Sequence, residues 1–330
     1  MTVRVLLATL LALSVVPPAM AQDAPGSNPI IRDKFTADPA ALVVGDTVYL
    51  YAGHDASDRE GYDIPEWLLY SSKDMKTWTP HGVILKPTDF SWSTGEAWAS
   101  QVVEKGGKYY FFTTAQDRGV PGGRRAAKAI GVAVSDKPTG PFVDAIGKPL
   151  ITNDMTPSKM HGWNDIDPTV FTDDDGTSWL MWGNEECYLV KLKPNMIELD
   201  GPITKVDLPK YTEGPWLHKR GPLYYLTYAS WDAPAEKAER IFYATATSIE
   251  GPWTPRGELT GFAENSSTIH PAIIEFKGKW YFFYHDGGLT IGERKGGSYR
   301  RAVRVERLHY NADGTIQPIK QTAEGVSGEP

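Results

Sequence analysis

Apolar and polar residues alternate with a period of two along most of this chain, in short runs that each follow a turn rich in glycine or aspartate. The runs are GDTVYLYAG from Gly45, KGGKYYFFTT from Lys105, DDDGTSWLMWGN from Asp173, KRGPLYYLTYA from Lys219 and FKGKWYFFYHDG from Phe276. Alternation built from aromatic and β-branched residues predicts strands with one buried face. With Thr47, Lys108, Thr177, Leu223 and Lys279 as equivalent starts, successive copies lie 61, 69, 46 and 56 residues apart. Such intervals hold four strands at about 8 to 12 residues per strand and turn. Later strands of the same units show in LLYSSKDMKTWTPHG, IGVAVSDKPTGPFVD and FYATATSIEGPWTPRG, each a strand, a Ser/Asp/Gly/Pro turn and a strand. Helical periodicity is nearly absent. Five copies of one hairpin predict an all-β fold, a five-bladed β-propeller with a four-stranded antiparallel sheet in each blade. A β-sandwich would use similar strands but would not explain the repetition.

In a propeller the innermost strand of each blade lines a central channel, so equivalent positions converge on the axis. Nine or ten residues ahead of the five starts stand Asp38, Trp98, Asp167, Glu213 and His270. Asp38, Asp167 and His270 each precede a proline, and Glu213 begins Glu-Gly-Pro. Proline lacks a backbone donor and suits the start of a strand, so one such acid alone reads as turn punctuation. Three in register at an axis read otherwise. Close carboxyls repel and raise one another's pKa, a cost typical of functional sites.

Composition narrows the chemistry. The chain has 330 residues, a formal net charge of −7, 41% apolar residues, 11 Trp, 16 Tyr and one cysteine. Without a run of Lys and Arg there is no electrostatic footprint for nucleic acid or another polyanion. Lone Cys187 forms no internal disulfide and reads as a half-buried strand residue. The first 21 residues carry Arg4, an apolar stretch from Val5 to Val16 and a small-x-small end at Ala19-Met20-Ala21. They predict a cleaved secretory signal, too short for a membrane span. The expectation is a secreted or periplasmic protein with residues 22–330 as a single propeller domain.

Paired carboxyls with an aromatic platform, and with no Ser-His pair, reactive thiol or Walker loop, suit glycosidic hydrolysis. One group activates water, one protonates the leaving oxygen, and a third charge raises the acid's pKa. At this point the chain resembles glycoside hydrolase family 43, from NPIIRDKFTADPAALV at Asn28 to RRAVRVERLHYNADGTI at Arg300. The resemblance implies a five-bladed propeller that inverts configuration, with Asp38 as general base, Asp167 tuning and orienting the acid, and Glu213 as general acid. It makes Trp98 a wall of the sugar subsite, although Ser100 stands where the family often has proline. It makes Arg301 the arginine that reaches the sugar hydroxyls.

For His270 the resemblance implies a calcium ion or an ordered water on the propeller axis. The run Asp173-Asp174-Asp175-Gly176 lacks the rest of a calcium loop and reads as a hairpin turn. His54 and Asp55 end the first aromatic strand and are candidate substrate contacts. The loops from Asp117 and Gly287 are expected to shape the pocket, and Asn265-Ser266-Ser267 matches a glycosylation sequon. The expected activity is release of xylose or L-arabinofuranose from an oligo- or polysaccharide of plant hemicellulose, by a β-xylosidase or α-L-arabinofuranosidase. An endo-acting arabinanase and a non-catalytic sugar-binding propeller are the alternatives.

Overall fold

The structure, a computed structural model, describes residues 24–120, 127–157 and 161–328. The predicted signal segment lies outside the described residues, as do residues 121–126 of the loop that follows Asp117.

Five antiparallel sheets form the five blades of the propeller. Blade one is β1 (Thr36–Val44), β2 (Thr47–His54), β3 (Trp67–Ser72) and β4 (Thr79–Leu85). Blade two is β5 (Ser100–Lys105), β6 (Lys108–Gln116), β7 (Lys128–Ser135) and β8 (Val143–Asp144). Blade three is β9 (Thr169–Thr172), β10 (Ser178–Trp182), β11 (Cys187–Leu192) and β12 (Thr204–Val206). Blade four is β13 (Glu213–Arg220), β14 (Leu223–Ser230), β15 (Arg240–Ala246) and β16 (Thr254–Thr260). The repeated aromatic runs are β2, β6, β10, β14 and β18 (Lys279–Asp286), the second strand of every blade. Each pairs with the inner strand that carries or follows the acid, Trp or His positions.

The fifth sheet has three strands, β17 (Ala272–Phe276), β18 and β21 (Ala302–Leu308), and the small hairpin β19 (Thr290–Ile291) and β20 (Arg294–Lys295) is inserted before the last. The amino-terminal segment engages the remaining edge of β21. Ile30 N–H donates to Val303 O at 3.0 Å, and Val305 N–H donates to the Asn28 side-chain oxygen at 2.9 Å. A sheet edge is a row of unpaired donors and acceptors, and this contact satisfies part of it while tying the chain's beginning to its last blade.

The core is the set of spaces between neighbouring blades. Tyr51 of β2, Trp67 of β3 and Phe111 of β6 meet edge-on with ring centroids 5.7 and 5.4 Å from Phe111. All three are fully buried, so Phe111→Ala would cost about 3–5 kcal/mol by removing a core aromatic. The Asp173 turn is a hairpin end, closed by Gly176 N–H to Asp173 O, with Lys219 bridging Asp173 and Asp174. Cys187 opens β11 and is buried. Among the described residues no helix is long and apolar enough to cross a membrane.

Candidate active site

Asp38 and Asp167 both hold left-handed backbone, at φ 52° and 58°, and so does Gly214 at φ 58°. Each of the three precedes a proline, which makes Gly214, not Glu213, the backbone counterpart of the two aspartates. A left-handed conformation admits aspartate but favours glycine. Space decides which: a Cβ on Gly214 would lie 3.0 Å from the His270 ring. The fourth blade therefore supplies its carboxyl from one residue earlier, on the longer glutamate side chain. Register shifts between Ala37 and Ala40 and between Glu213 and Trp216 mark bulges in the two inner strands, the kind of irregularity that re-aims a side chain.

His270 stands at the centre of the three acids. Its Nε2 is 3.0 Å from Glu213 Oε1 and 3.7 Å from Asp167 Oδ2, and its Nδ1 is 3.2 Å from Asp38 Oδ1. Asn184 donates to the other Glu213 oxygen at 2.5 Å, and Gly214 N–H donates to Asp167 Oδ2 at 3.1 Å. Burial pushes Asp167 up to about 8, with His270 opposing and Glu213 and Asp38 adding to the rise. Burial also acts on Glu213, but the hydrogen bond and charge of His270, then Asn184 and Arg301, outweigh it and hold this carboxyl below its usual range. On His270 burial opposes the charge, and Asp167, Asp38 and Glu213 together overcome it and lift the imidazole to about 10. The shifts in the free cup therefore run upward for Asp167 and His270 and downward for Glu213. That is the reverse of a glutamate with a raised pKa. The groups titrate as one coupled set, so a proton on Asp167 or His270 remains available to Glu213 a few ångströms away.

Arg301 enters from the start of β21 and is buried. Its Nη1 donates to Asp38 Oδ1 at 3.0 Å and to Thr268 Oγ1 at 3.3 Å. From behind, Asp55 accepts from Arg301 Nε at 2.8 Å, Nη2 at 3.0 Å and the backbone N–H at 2.9 Å. A second histidine completes the support. His285 Nδ1 accepts the Asp38 N–H at 3.2 Å and its Nε2 lies 3.1 Å from Thr268 Oγ1. Burial, with the charges of Arg301 and His270, pushes His285 well below its ordinary pKa, so this ring is neutral.

These groups form the floor of a cavity of about 740 Å³ whose walls include Tyr62, Trp98, Trp163, Trp231 and Tyr299. Trp98 Nε1 donates to Glu96 Oε2 at 3.0 Å, and the Lys128 ammonium lies 4.3 Å from the Trp98 ring centroid. Tyr299 comes from the Gly287 loop and meets Tyr62 edge-on at 4.8 Å. Of the residues expected at the site, Asp38, Trp98, Asp167, Glu213, His270 and Arg301 are brought together. His54 is not: its Nδ1 bonds Glu66 at 3.1 Å and it takes no part in the cavity wall. Asp55 sits behind Arg301, not against the cavity. Tyr62, Trp163, Asn184, Trp231, Glu239 and Tyr299 went unnoticed in the sequence because they lie outside the inner strands, where no repeat register singles them out.

A calcium ion fits His270 poorly. Asp167, Glu213 and His270 offer ligand atoms within 4.8 Å of one another, but calcium takes six to eight oxygen ligands, and this set supplies two carboxylates and a nitrogen. The crevice beneath, between the prolines of the inner strands, has a volume of about 20 Å³, enough for about one water.

Comparison with known proteins is consistent across sequence and structure. The family described as "Glycosyl hydrolases family 43" matches residues 27–316. An arabinoxylan arabinofuranohydrolase of Bacillus subtilis is 31% identical over 91% of this chain, which spans 65% of that longer protein. A xylosidase/arabinosidase of Bacteroides ovatus is 30% identical, covering 88% of this chain and 97% of its own. A family 43 β-xylosidase/α-arabinofuranosidase from a compost microbial metagenome, solved with xylotriose, superposes with a TM-score of 0.76 at 28% identity, over 90% of this chain and 98% of the other.

Proposed function

Because the chain belongs to glycosyl hydrolase family 43, we propose that it is an exported, inverting glycosidase that releases xylose or L-arabinofuranose from hemicellulose. The observation that carries this reading is the arrangement of Asp38, Asp167 and Glu213 around His270 at the floor of an aromatic-walled cup. One imidazole ring, with contacts of 3.2 and 3.0 Å on its two nitrogens, separates the nearest oxygens of Asp38 and Glu213. That is compatible with the ~6.5–9.5 Å spacing that leaves room for a water between base and acid in inverting enzymes.

In this mechanism Arg301 and His270 hold Asp38 Oδ1, and Oδ2, which has no protein partner among the described residues, takes the proton of the attacking water. Glu213 protonates the departing glycosidic oxygen. It first receives a proton from the Asp167–His270 set when the sugar displaces water from the cup and removes the solvation that favours its charge. The new C–O bond forms on the face opposite the one that breaks. Asp38 ends protonated, Glu213 returns to its ionised resting form, and the Asp167–His270 set is left one proton short. Loss of the Asp38 proton to solvent and uptake of one proton by that set restore the starting state. Residues 1–21 support export, which amino-terminal sequencing of the protein recovered outside the cytoplasm tests.

The activity is tested by hydrolysis of 4-nitrophenyl β-D-xylopyranoside and 4-nitrophenyl α-L-arabinofuranoside, with the first-formed anomer followed by proton NMR. Product of inverted configuration from either substrate is expected. Retained configuration would overturn the mechanism, and turnover of neither would overturn the pentoside assignment.

A further inference from the structure

The cup holds another buried carboxyl that the mechanism does not use. Glu239 directly precedes β15, is almost fully buried and lines the same cavity as the acids. Its backbone N–H donates to Ser267 O at 3.0 Å, and its Oε2 accepts the Ile269 N–H at 3.2 Å. These two bonds dock it against the segment that carries His270. Among the described residues no hydrogen bond reaches its other oxygen, Oε1, and no ion pair reaches the carboxyl; Oε1 is not one of the fully buried unpartnered atoms and so is open to the cavity that Glu239 lines. Asp38 and Glu213, by contrast, face Arg301, His270 or Asn184, and Asp167 accepts from Gly214.

A largely buried carboxyl whose one unpartnered oxygen opens into a cavity is already partly desolvated, and a ligand's polar group can take up that oxygen. A sugar presents hydroxyls that both donate and accept, and a carboxyl, ionised or protonated, can meet either need. We propose that Glu239 is a substrate-binding residue whose Oε1 hydrogen-bonds a ring hydroxyl of the sugar seated over His270. The assignment rests on the glycosidase reading above and goes beyond it by naming a recognition group on blade four, docked on Ser267 next to the Thr268 that Arg301 contacts. Burial, with the Glu213 charge adding to it, pushes this carboxyl well above its usual range, which favours its use as a hydroxyl-like donor and acceptor without another negative charge in the cup.

The test compares wild type with Glu239→Gln and Glu239→Leu on both parent pentosides and on their monodeoxy analogues, with melting temperatures recorded for each protein. Glu239→Leu should lower kcat/KM about 10- to 100-fold on a parent substrate, the range for losing a partner of a buried polar group. Glu239→Gln should keep most of the activity. On the deoxy analogue that lacks the partnered hydroxyl, wild type and Glu239→Leu should converge. A loss of the same factor on the parent and on every deoxy analogue overturns the inference and leaves Glu239 as a prop for the His270 segment. If Glu239→Leu does not fold, Glu239→Ala takes its place under the same comparison. Should wild type turn over neither pentoside, calorimetric binding of xylose and L-arabinose separates the two readings. Binding that the substitution weakens keeps Glu239 and sinks only the proposed activity, and binding that is absent or unchanged overturns Glu239 as well.

Discussion

Replacing Asp55 by alanine should weaken the whole molecule before it weakens substrate binding. Asp55 is buried behind Arg301 and accepts three of its N–H groups, two in a bidentate fork at 2.8 and 3.0 Å and one from the backbone at 2.9 Å. With Asp55 gone, the guanidinium keeps Asp38 at 3.0 Å and Thr268 at 3.3 Å but loses every charge-assisted bond on its far side. Breaking a buried ion pair by removing one member costs about 3–5 kcal/mol, because the other charge stays buried. At about 2 °C per kcal/mol for a large domain, the melting temperature should fall by about 6 °C or more. Activity should fall too, since Arg301 no longer holds Asp38 in a fixed geometry, and small misplacements of reacting groups cost up to ~100-fold. The assay pairs urea and thermal unfolding with kcat/KM on the better pentoside. A double-mutant cycle with Arg301→Met adds the pairwise part: removing both partners should cost clearly less than the sum of the single losses. If Asp55→Ala melted with wild type while KM alone rose, Asp55 would be touching sugar directly and the clamp argument would fail.

Glu213→Gln should cost about 100- to 10,000-fold on a substrate with a poor leaving group and far less on an activated aryl glycoside, while Asp38→Asn abolishes turnover of both; equal losses for Glu213→Gln on the two classes would remove its role as the acid. The proton held on Asp167 up to about 8 is bound below that pH and lost above it, so kcat/KM should decline on the alkaline side near pH 8, and an Asp167→Asn profile with the same alkaline limb would show that another group sets it. Dialysis against a chelator should leave melting temperature and activity unchanged, since the set around His270 supplies two carboxylates and a nitrogen where calcium takes six to eight oxygen ligands; a loss that added calcium reverses would place an ion in the axial crevice after all.

What could be read in advance was whatever repeats. Two-residue alternation is a local property, and the five aromatic runs became the second strand of every blade. Counting back from them reached Asp38, Asp167, Glu213 and His270 because hairpins of similar length carry each residue to the same level of the channel. What the count could not show is that the backbone counterpart of Asp38 and Asp167 in the fourth blade is Gly214, where the His270 ring leaves little room for a Cβ, so that the carboxyl comes from one residue earlier. His54 and Asp55 illustrate the other limit. His54 ends β2 and Asp55 follows it, but position alone could not say that one turns to Glu66 and the other to the back of Arg301.

The sequence by itself determined the blade count, the inner-strand acids and the expectation of a polar cup, because backbone periodicity and turn chemistry act between near neighbours. Tertiary structure alone decided the partners across the ring. Arg301 meets Asp55 and Asp38 from the far end of the chain, Glu239 docks on Ile269, and the amino-terminal segment engages the last blade. It also decided the direction in which each pKa moves, up for Asp167 and His270 and down for Glu213. Burial and charge at three or four ångströms set that pattern, and neither quantity exists until the blades close into a ring.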